Sequence, residues 1–385
     1  MELLKLILRN TLRQRLRAIL TILGMAVAIL AFCLLRTVVD AWYGGVAAAS
    51  PNRLVTRNAV SLIFPMPISY RQKILRVPDV AQVAYANWFG GVYIDERHFF
   101  ARMAIGPKNF FDLFPEFLIS PDQLRAFWSQ RNACVAGRKL IDQYGWKLGD
   151  TITMTGNIYP GEWQFVLRGI YRGANKNTDE TQFFFRWDYL DEVLKKSVAY
   201  ESGQAGWYIV QVKNPSLAGA TSRAIDSLFE NSWAETLTET EKAFQMSFVS
   251  MTEAILIAIR IVSLVVIGVI LVVLANTMAM TARERMSEYA ILKTLGFGNR
   301  FVFTLIAGES ITIAMLGGIL GMLLSLPVAQ VFSKELGAIL PVFEIGWQTF
   351  FMSFAISCII GFLAALLPAW RASRVRIAEA LGHIG

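Results

Sequence analysis

Few side chains in this chain could make or break bonds. Its 385 residues hold three cysteines (Cys33, Cys134, Cys358) and two histidines (His98, His383). No combination of these has the spacing of a zinc site. Only Cys134 falls in the polar middle of the chain, so no internal disulfide can form there. There is no G-x-x-x-x-G-K-[ST] run, which excludes a P-loop ATP site in this chain. The tripeptide GES at 308–310 sits inside an apolar run with no histidine near it, so Ser310 has no base to activate it. Asp95, Glu96, Asp112 and Glu116 are scattered without a pairing pattern and read as a solvated face. One carboxylate stands apart. Glu309 lies about two turns inside an apolar span, where an acid is costly and marks a functional site by default. The plainer alternative is a glutamate near the interface, hydrogen-bonded to a neighbouring helix.

What remains is a candidate for mechanical work. Residues 283–300 read RERMSEYAILKTLGFGNR. On a helix, Met286, Tyr289, Ala290 and Lys293 fall at i, i+3, i+4 and i+7 and share one face. Gly296 and Gly298 supply left-handed stops after Leu295. The segment joins two antiparallel apolar runs, so it lies along the membrane face. There it is either a plain hairpin connection or a helix that a soluble protein can push, and spacing alone leaves both open.

The elements that must position these residues follow from composition. The chain is 55% hydrophobic and 17% charged, well below the roughly 25% charged of soluble proteins. Apolar runs at about 18–35, 261–280, within 301–332 and at 350–370 are each long enough to cross about 30 Å of hydrocarbon. The flanks 1–17, 281–300 and 371–385 together hold 12 Lys/Arg and 4 acids, a difference equal to the whole net charge of +8. The basicity is therefore a positive-inside signal, not a nucleic-acid surface. It places both termini and the 281–300 loop in the cytoplasm and the large middle segment outside. The first run is too long for a signal-peptide core and lacks a well-placed cleavage site, so it reads as a retained helix.

The expected fold is an α-helical membrane protein with four transmembrane helices and a large mixed α/β extracytoplasmic domain between helices 1 and 2. Residues 1–17 form a cytoplasmic amphipathic helix or a charged flank, from the apolar spacing of Leu4, Ile7, Leu8, Leu12 and Leu16. Transmembrane helix 1 is 18–39, the α/β domain 40–238, and the stalk with helix 2 spans 239–280. A cytoplasmic segment at 281–300 follows, then helix 3 at 301–332, an outer loop at 333–348, helix 4 at 349–370 and a tail at 371–385. Thr238 with Glu241 has the form of a capping box, and no Gly or Pro follows until Gly268. An unbroken helix from about Glu239 to Met280 would be about 60 Å long and would project beyond the membrane as a stalk. Phe244, Phe248, Met251 and Ile255 form an apolar seam on it, for packing on the stalk of helix 1 or on a second copy. Arg36 and Arg260, near the outer ends of their spans, read as snorkelling to the interface. The aromatic run NFFDLFPEF (109–117), with Trp88, Phe89, Phe183, Phe184, Phe185 and Trp187, reads as core, with an apolar groove for lipid or peptide as the other reading.

Glu288 to Gly296, EYAILKTLG, is similar to the cytoplasmic motif of the FtsX-like, MacB-type permeases of ABC transporters. Glu309 followed by GGILG (317–321) resembles that family's next span, and LLPAWRASRVRIAEAL resembles its C-terminus, with Arg376 and Ile377 departing from the usual Asp-Pro. VPDVAQV (77–83) and residues 131–154 look like its outer-domain pattern. The resemblance implies that 283–296 is a coupling helix seated on a separate ATP-binding subunit. Glu284, Arg285, Glu288, Tyr289, Ile291, Leu292, Lys293, Leu295 and Gly296 are then its coupling residues. ATP and Mg would be bound by that partner, with no cofactor, metal or catalytic residue in this chain. It further implies a dimer, a homodimer rather than a heterodimer, in the bacterial inner membrane, in contact with membrane lipids. A periplasmic adaptor or membrane fusion protein is a further candidate partner. The expected output is mechanotransmission: ATP-driven closure moves the coupling helices, and the stalks carry that motion outward to export or extract a lipoprotein, lipid, peptide or drug. The alternative is an FtsX-like regulator that activates an extracytoplasmic cell-wall hydrolase without transport.

Overall fold

The structure, a computed structural model, describes residues 7, 9–11, 13–96, 98–175, 177–335 and 343–374. The end of the C-terminal motif from residue 375, residues 336–342 of the 333–348 loop and much of the N-terminal stripe lie outside these residues. Among the described residues the helices are α1 (Arg15–Trp42), α2 (Gly44–Ala48), α3 (Tyr70–Ile74), α4 (Pro121–Ser129), α5 (Arg138–Tyr144), α6 (Trp187–Ser197), α7 (Ala218–Ser227), α8 (Glu241–Met251), α9 (Glu253–Glu284), α10 (Met286–Thr294), α11 (Asn299–Glu335) and α12 (Trp347–Ser373). The chain divides into a helical unit, holding residues up to Asp40, Glu253–Lys334 and the chain from Phe343, and an α/β unit, chiefly Ala41–Thr252.

In the helical unit α1, α9, α11 and α12 are each long and apolar enough to cross a membrane. Their inward faces meet through Met25 and Ile29, Leu274 and Met278, Ile306 and Ile313, and Ile360 and Ala364. Their outward faces leave Leu20, Val27, Leu264, Val272, Phe351 and Leu367 exposed. Water would not tolerate so continuous an apolar surface, whereas lipid does. Close approach depends on missing side chains. A Cβ at Gly321 of α11 would lie 2.5 Å from the Ala26 carbonyl oxygen of α1, and one at Gly361 of α12 would lie 2.8 Å from Ile311 Cα. The small-residue clusters are thus packing surfaces, as small residues are in membrane helices generally.

The α/β unit is built on one large mixed sheet, in order β13-β1-β12-β3-β5-β10-β7-β9-β8-β4 with β6 paired to β9. Its strands are β1 (Arg53–Asn58), β3 (Val80–Trp88), β4 (Gly91–Val92), β5 (Ala101–Gly106), β6 (Phe117–Leu118), β7 (Ala133–Gly137), β8 (Thr151–Gly156), β9 (Gly161–Gly173), β10 (Gln182–Arg186), β12 (Trp207–Val212) and β13 (Thr236–Thr240). The short β2 (Met66–Pro67) and β11 (Gln204–Ala205) pair separately. Strand β8 buries every second residue, as a strand covered on one face must. In β10 all of Phe183, Phe184 and Phe185 are buried, because both faces there are covered. Phe183 and Phe185 join one core with Phe89 and Trp187, and Phe184 joins the other with Phe110, Phe111 and Phe127.

The stalk differs from the sequence reading. Residues 236–240 (TLTET) form β13, paired with β1, because β-branched residues alternate there and favour a strand. The Thr238 hydroxyl bonds Asp226 at 2.7 Å and Thr56 at 2.9 Å and caps nothing. The cap lies one threonine later, where Thr240 Oγ1 accepts from the Ala243 amide at 3.2 Å. The helix is not unbroken either. It leaves helical geometry at Thr252 (φ −108°, ψ 7°), so α8 and α9 replace the single 239–280 rod.

Candidate functional site

Helix α9 ends at Glu284, and Arg285 is a single non-helical residue (φ −105°, ψ 16°) before α10. Leu295 caps α10, and Gly296 takes the left-handed conformation (φ +94°) that the sequence anticipates at a helix stop. The predicted coupling segment is therefore a separate short helix. Its buried side holds Tyr289 and Ala290, and its open side exposes Ile291 and Leu295, the latter to 70%, with Phe297 beyond. Lys293 Nζ donates to the Ser373 carbonyl oxygen at 2.7 Å and ties α10 to the end of α12. Leu292 and Met286 pack against the helical core.

The charged residues of the segment turn inward. Arg285 Nη1 donates to both carboxylate oxygens of Glu309, at 2.8 and 3.0 Å, and its Nε donates to Glu288 at 3.0 Å. Glu309 is only 2% exposed. The N-terminal segment completes the network. Arg13 donates to Glu288 at 2.6 Å, Gln14 donates to Glu284 at 2.7 Å, and Arg17 binds both Glu284 oxygens at 2.9 Å. Burial alone would lower the pKa of Arg285, but Glu309 beside it outweighs that and raises it. Burial likewise works against ionisation of Glu288, yet the hydrogen bonds from Arg285 and Arg13 hold its carboxyl below the ordinary range. Burial pushes the Tyr289 hydroxyl up. Arg13, Gln14, Arg17, Glu284, Arg285, Glu288 and Glu309 line one small polar cavity with Asn10, Thr277 and Thr281.

Of the residues singled out from sequence, Glu284, Arg285, Glu288 and Glu309 come together. Ile291, Leu295 and Gly296 stay on the open side. The seam residues do not meet them: Phe244 and Phe248 stack edge to face at 5.1 Å within the α/β unit, and Met251 is 82% exposed. Ile255 belongs to α9 of the helical unit, and the buried residue of α8 is Val249. Arg13, Gln14 and Arg17 carry no sequence signal beyond the basic flank; Arg13 and Gln14 form a turn just before α1, and Arg17 lies in its first turn. Arg36 pairs with Asp40 at 3.1 Å.

The α/β unit carries a second feature, a groove of about 1680 Å³. Its floor is the sheet face presented by Ala86, Trp88, Met103, Phe184, Trp207 and Ile209, and Phe244 and Phe248 of α8 also line it. Phe110, Phe114 and Phe117 of the 109–117 run join its lining, so that run serves as both core and apolar surface. Arg53 sits within it, held by Glu116 at 2.6 Å and Glu241 at 2.8 Å. No group of His, Cys, Asp and Glu among the described residues is arranged to hold a metal ion.

Four membrane-crossing helices, a large α/β domain between the first and second, and a short amphipathic helix between the second and third define a membrane permease. Two family models match the chain. The MacB-like periplasmic core domain covers residues 18–228, more than half of it, and the FtsX-like permease C-terminal domain covers 260–377. The chain belongs to the MacB/FtsX-like family of ABC transporter permeases, and membership implies an ATP-binding partner. An uncharacterised ABC transporter permease of Methanocaldococcus jannaschii is 22% identical, over 97% of this chain and 96% of that protein. The macrolide export ATP-binding/permease protein MacB of Pasteurella multocida is 26% identical over 59% of this chain, which spans only 34% of that protein's length. Among solved structures, the periplasmic region of MacB from Actinobacillus actinomycetemcomitans aligns with a TM-score of 0.38 and 10% identity, over 53% of this chain and 95% of that one.

Proposed function

We propose that this chain is the membrane subunit of an ABC transporter in the bacterial inner membrane, with both termini and the 281–300 segment in the cytoplasm. A separate ATP-binding subunit seats against α10 and drives it, and two copies of this chain work as a pair. The observation that carries the reading is α10 itself. It is a helix of nine residues between two spans, charged and anchored on one side, with Ile291, Leu295 and Phe297 exposed on the other. An apolar patch on a solvent-facing turn suits a protein partner. Motion delivered there acts on an amphiphilic substrate, and the aromatic groove of the α/β unit offers such a molecule an apolar surface beside the Arg53 cluster. The groove favours transport over activation of a cell-wall hydrolase.

The test is isolation of the full chain from its native membranes in mild detergent, with mass spectrometry of what accompanies it. An ATP-binding protein in comparable amount is expected. Leu295→Asp should reduce it at least about tenfold, as loss of a central interface anchor does, without altering the thermal unfolding of the chain. If wild-type chain brings no ATP-binding protein while its own pairing survives, α10 is only a hairpin connection. If a hydrolase follows the chain and amphiphiles do not bind, the regulatory reading replaces transport.

A further inference from the structure

We propose that Arg285 and Glu309 form a latch that passes movement of α10 to the third span, α11, and that Arg13 and Arg17 of the N-terminal segment close it. The inference rests on α10 being the coupling helix. Helix α10 has two ends, and they are built differently. At its C-terminal end it joins α11 through Leu295–Gly298, in which Gly296 has φ +94° and a Cβ at Gly296 or Gly298 would meet nothing within 4 Å. That turn is closed by Phe297 N–H donating to the Leu292 carbonyl oxygen at 3.1 Å and by the Phe297 ring stacked on Phe301 at 4.5 Å, contacts that reach only the first turn of α11. At its N-terminal end Arg285 occupies the joint with α9, and its guanidinium grips Glu309 with two hydrogen bonds.

Glu309 lies ten residues beyond the start of α11 at Asn299, about 15 Å along the helix. A pull on it acts deep in the span, well beyond the Leu295–Gly298 turn. The pair cannot part cheaply, because separation would leave a buried carboxylate without its cation. Rotation of α10 about its joint must therefore carry α11 with it or break the pair. Arg13 holds Glu288 on the first turn of α10, and Arg17 holds Glu284 on the last turn of α9. These two bonds brace both sides of the joint against the same segment. A buried ion pair contributes little to stability for its cost, so its place at the one non-helical residue of the connection calls for a positional role.

The test uses the full chain with its ATP-binding partner in lipid nanodiscs. A cysteine replaces Val331, an exposed residue near the far end of α11, and its maleimide labelling is followed by mass spectrometry with and without ATP. In the otherwise wild-type chain ATP should change the labelling rate. In Glu309→Gln that ATP-dependent change should fall about tenfold, a typical coupling between sites, while the partner stays bound and still hydrolyses ATP, and the change should fall in Arg285→Met as well. The charge reversal Arg285→Glu with Glu309→Arg should restore it. Where Arg285→Met does not assemble, Arg285→Lys keeps the charge without the fork and should lose part of the change. A Glu309→Gln complex with the full ATP-dependent change overturns the latch and leaves the coupling helix standing. Absence of the ATP-binding protein from the wild-type complex would instead remove the coupling-helix reading, and the latch with it.

Discussion

Arg53 shows how one side chain can join distant parts of a chain. It reaches Glu116 and Glu241, donates to the Leu113 carbonyl at 2.8 Å, and lies 4.4 Å over the Phe114 ring. Burial would lower its pKa, but the two carboxylates outweigh that and raise it. Arg53→Met should therefore leave two acids facing each other without a cation, a loss of about 3–5 kcal/mol. Thermal unfolding of the full chain in detergent would register it, and adding Glu116→Gln with Glu241→Gln should recover part of the loss. An unchanged midpoint in Arg53→Met would mean the cluster is solvated and idle. Asp191 gives a pH dependence. Burial opposes its ionisation, but Lys195, the Gly203 amide and the Ser202 hydroxyl outweigh that and hold its carboxyl below the ordinary range. A depressed carboxyl contributes stability above its unfolded-state pKa and loses it as pH falls through the folded value. Asp191→Asn should thus destabilise the chain at pH 7, and the gap to wild type should close as pH drops below about 4. A gap that persists at pH 2 would assign the effect to packing.

At the scale of elements the spans depend on glycine at some positions and not at others. A Cβ on Gly361 would press on Ile311 Cα, whereas one on Gly268 meets nothing within 4 Å. Gly361→Val should lower the thermal midpoint in detergent. Gly268→Ala should leave it or raise it, since alanine is favoured over glycine in a helix by about 1 kcal/mol. Equal behaviour of the two would argue that α11 and α12 do not pack closely. The spans, the short helix α10 and the stop at Gly296 were legible because each is a local pattern: an apolar run, a 3.6-residue period, a left-handed position. The start of the stalk was not. Thr238 and Thr240 are both threonines near a glutamate, and only pairing of β13 with β1 and the pull of Asp226 on Thr236 and Thr238 decide which one caps. The break at Thr252 was equally silent, having neither glycine nor proline. The network around Arg285 was half legible. Glu309 stood out for its cost, but Arg13, which bonds Glu288, is 275 positions from it in sequence, and nothing local joins those two.

For the whole molecule, the proposed transport cycle needs a place for an amphiphile and a connection that carries force, and each can be tested apart from the other. In that proposal the force passes along the chain through α8 and α9, and Met251 at the end of α8 is exposed. Met251→Gly should soften the end of α8 by about 1 kcal/mol relative to Met251→Ala. It should lower substrate moved per ATP hydrolysed while hydrolysis itself continues; equal coupling in the two variants would show that stiffness at this point is irrelevant. The place for the amphiphile is the groove, and four of the chain's ten tryptophans, Trp42, Trp88, Trp207 and Trp233, line it. A brominated alkyl amphiphile below its micellar concentration should therefore quench the fluorescence of the full chain in a saturable way. Met103→Arg, which sets a charge on the apolar floor, should weaken that saturation about tenfold or more, since burying an unpaired charge is costly. Quenching that grows linearly and ignores Met103→Arg would mean the probe only partitions onto the membrane-facing helices. The groove would then be an unoccupied surface of the α/β domain, and the substrate would have to be sought among the spans.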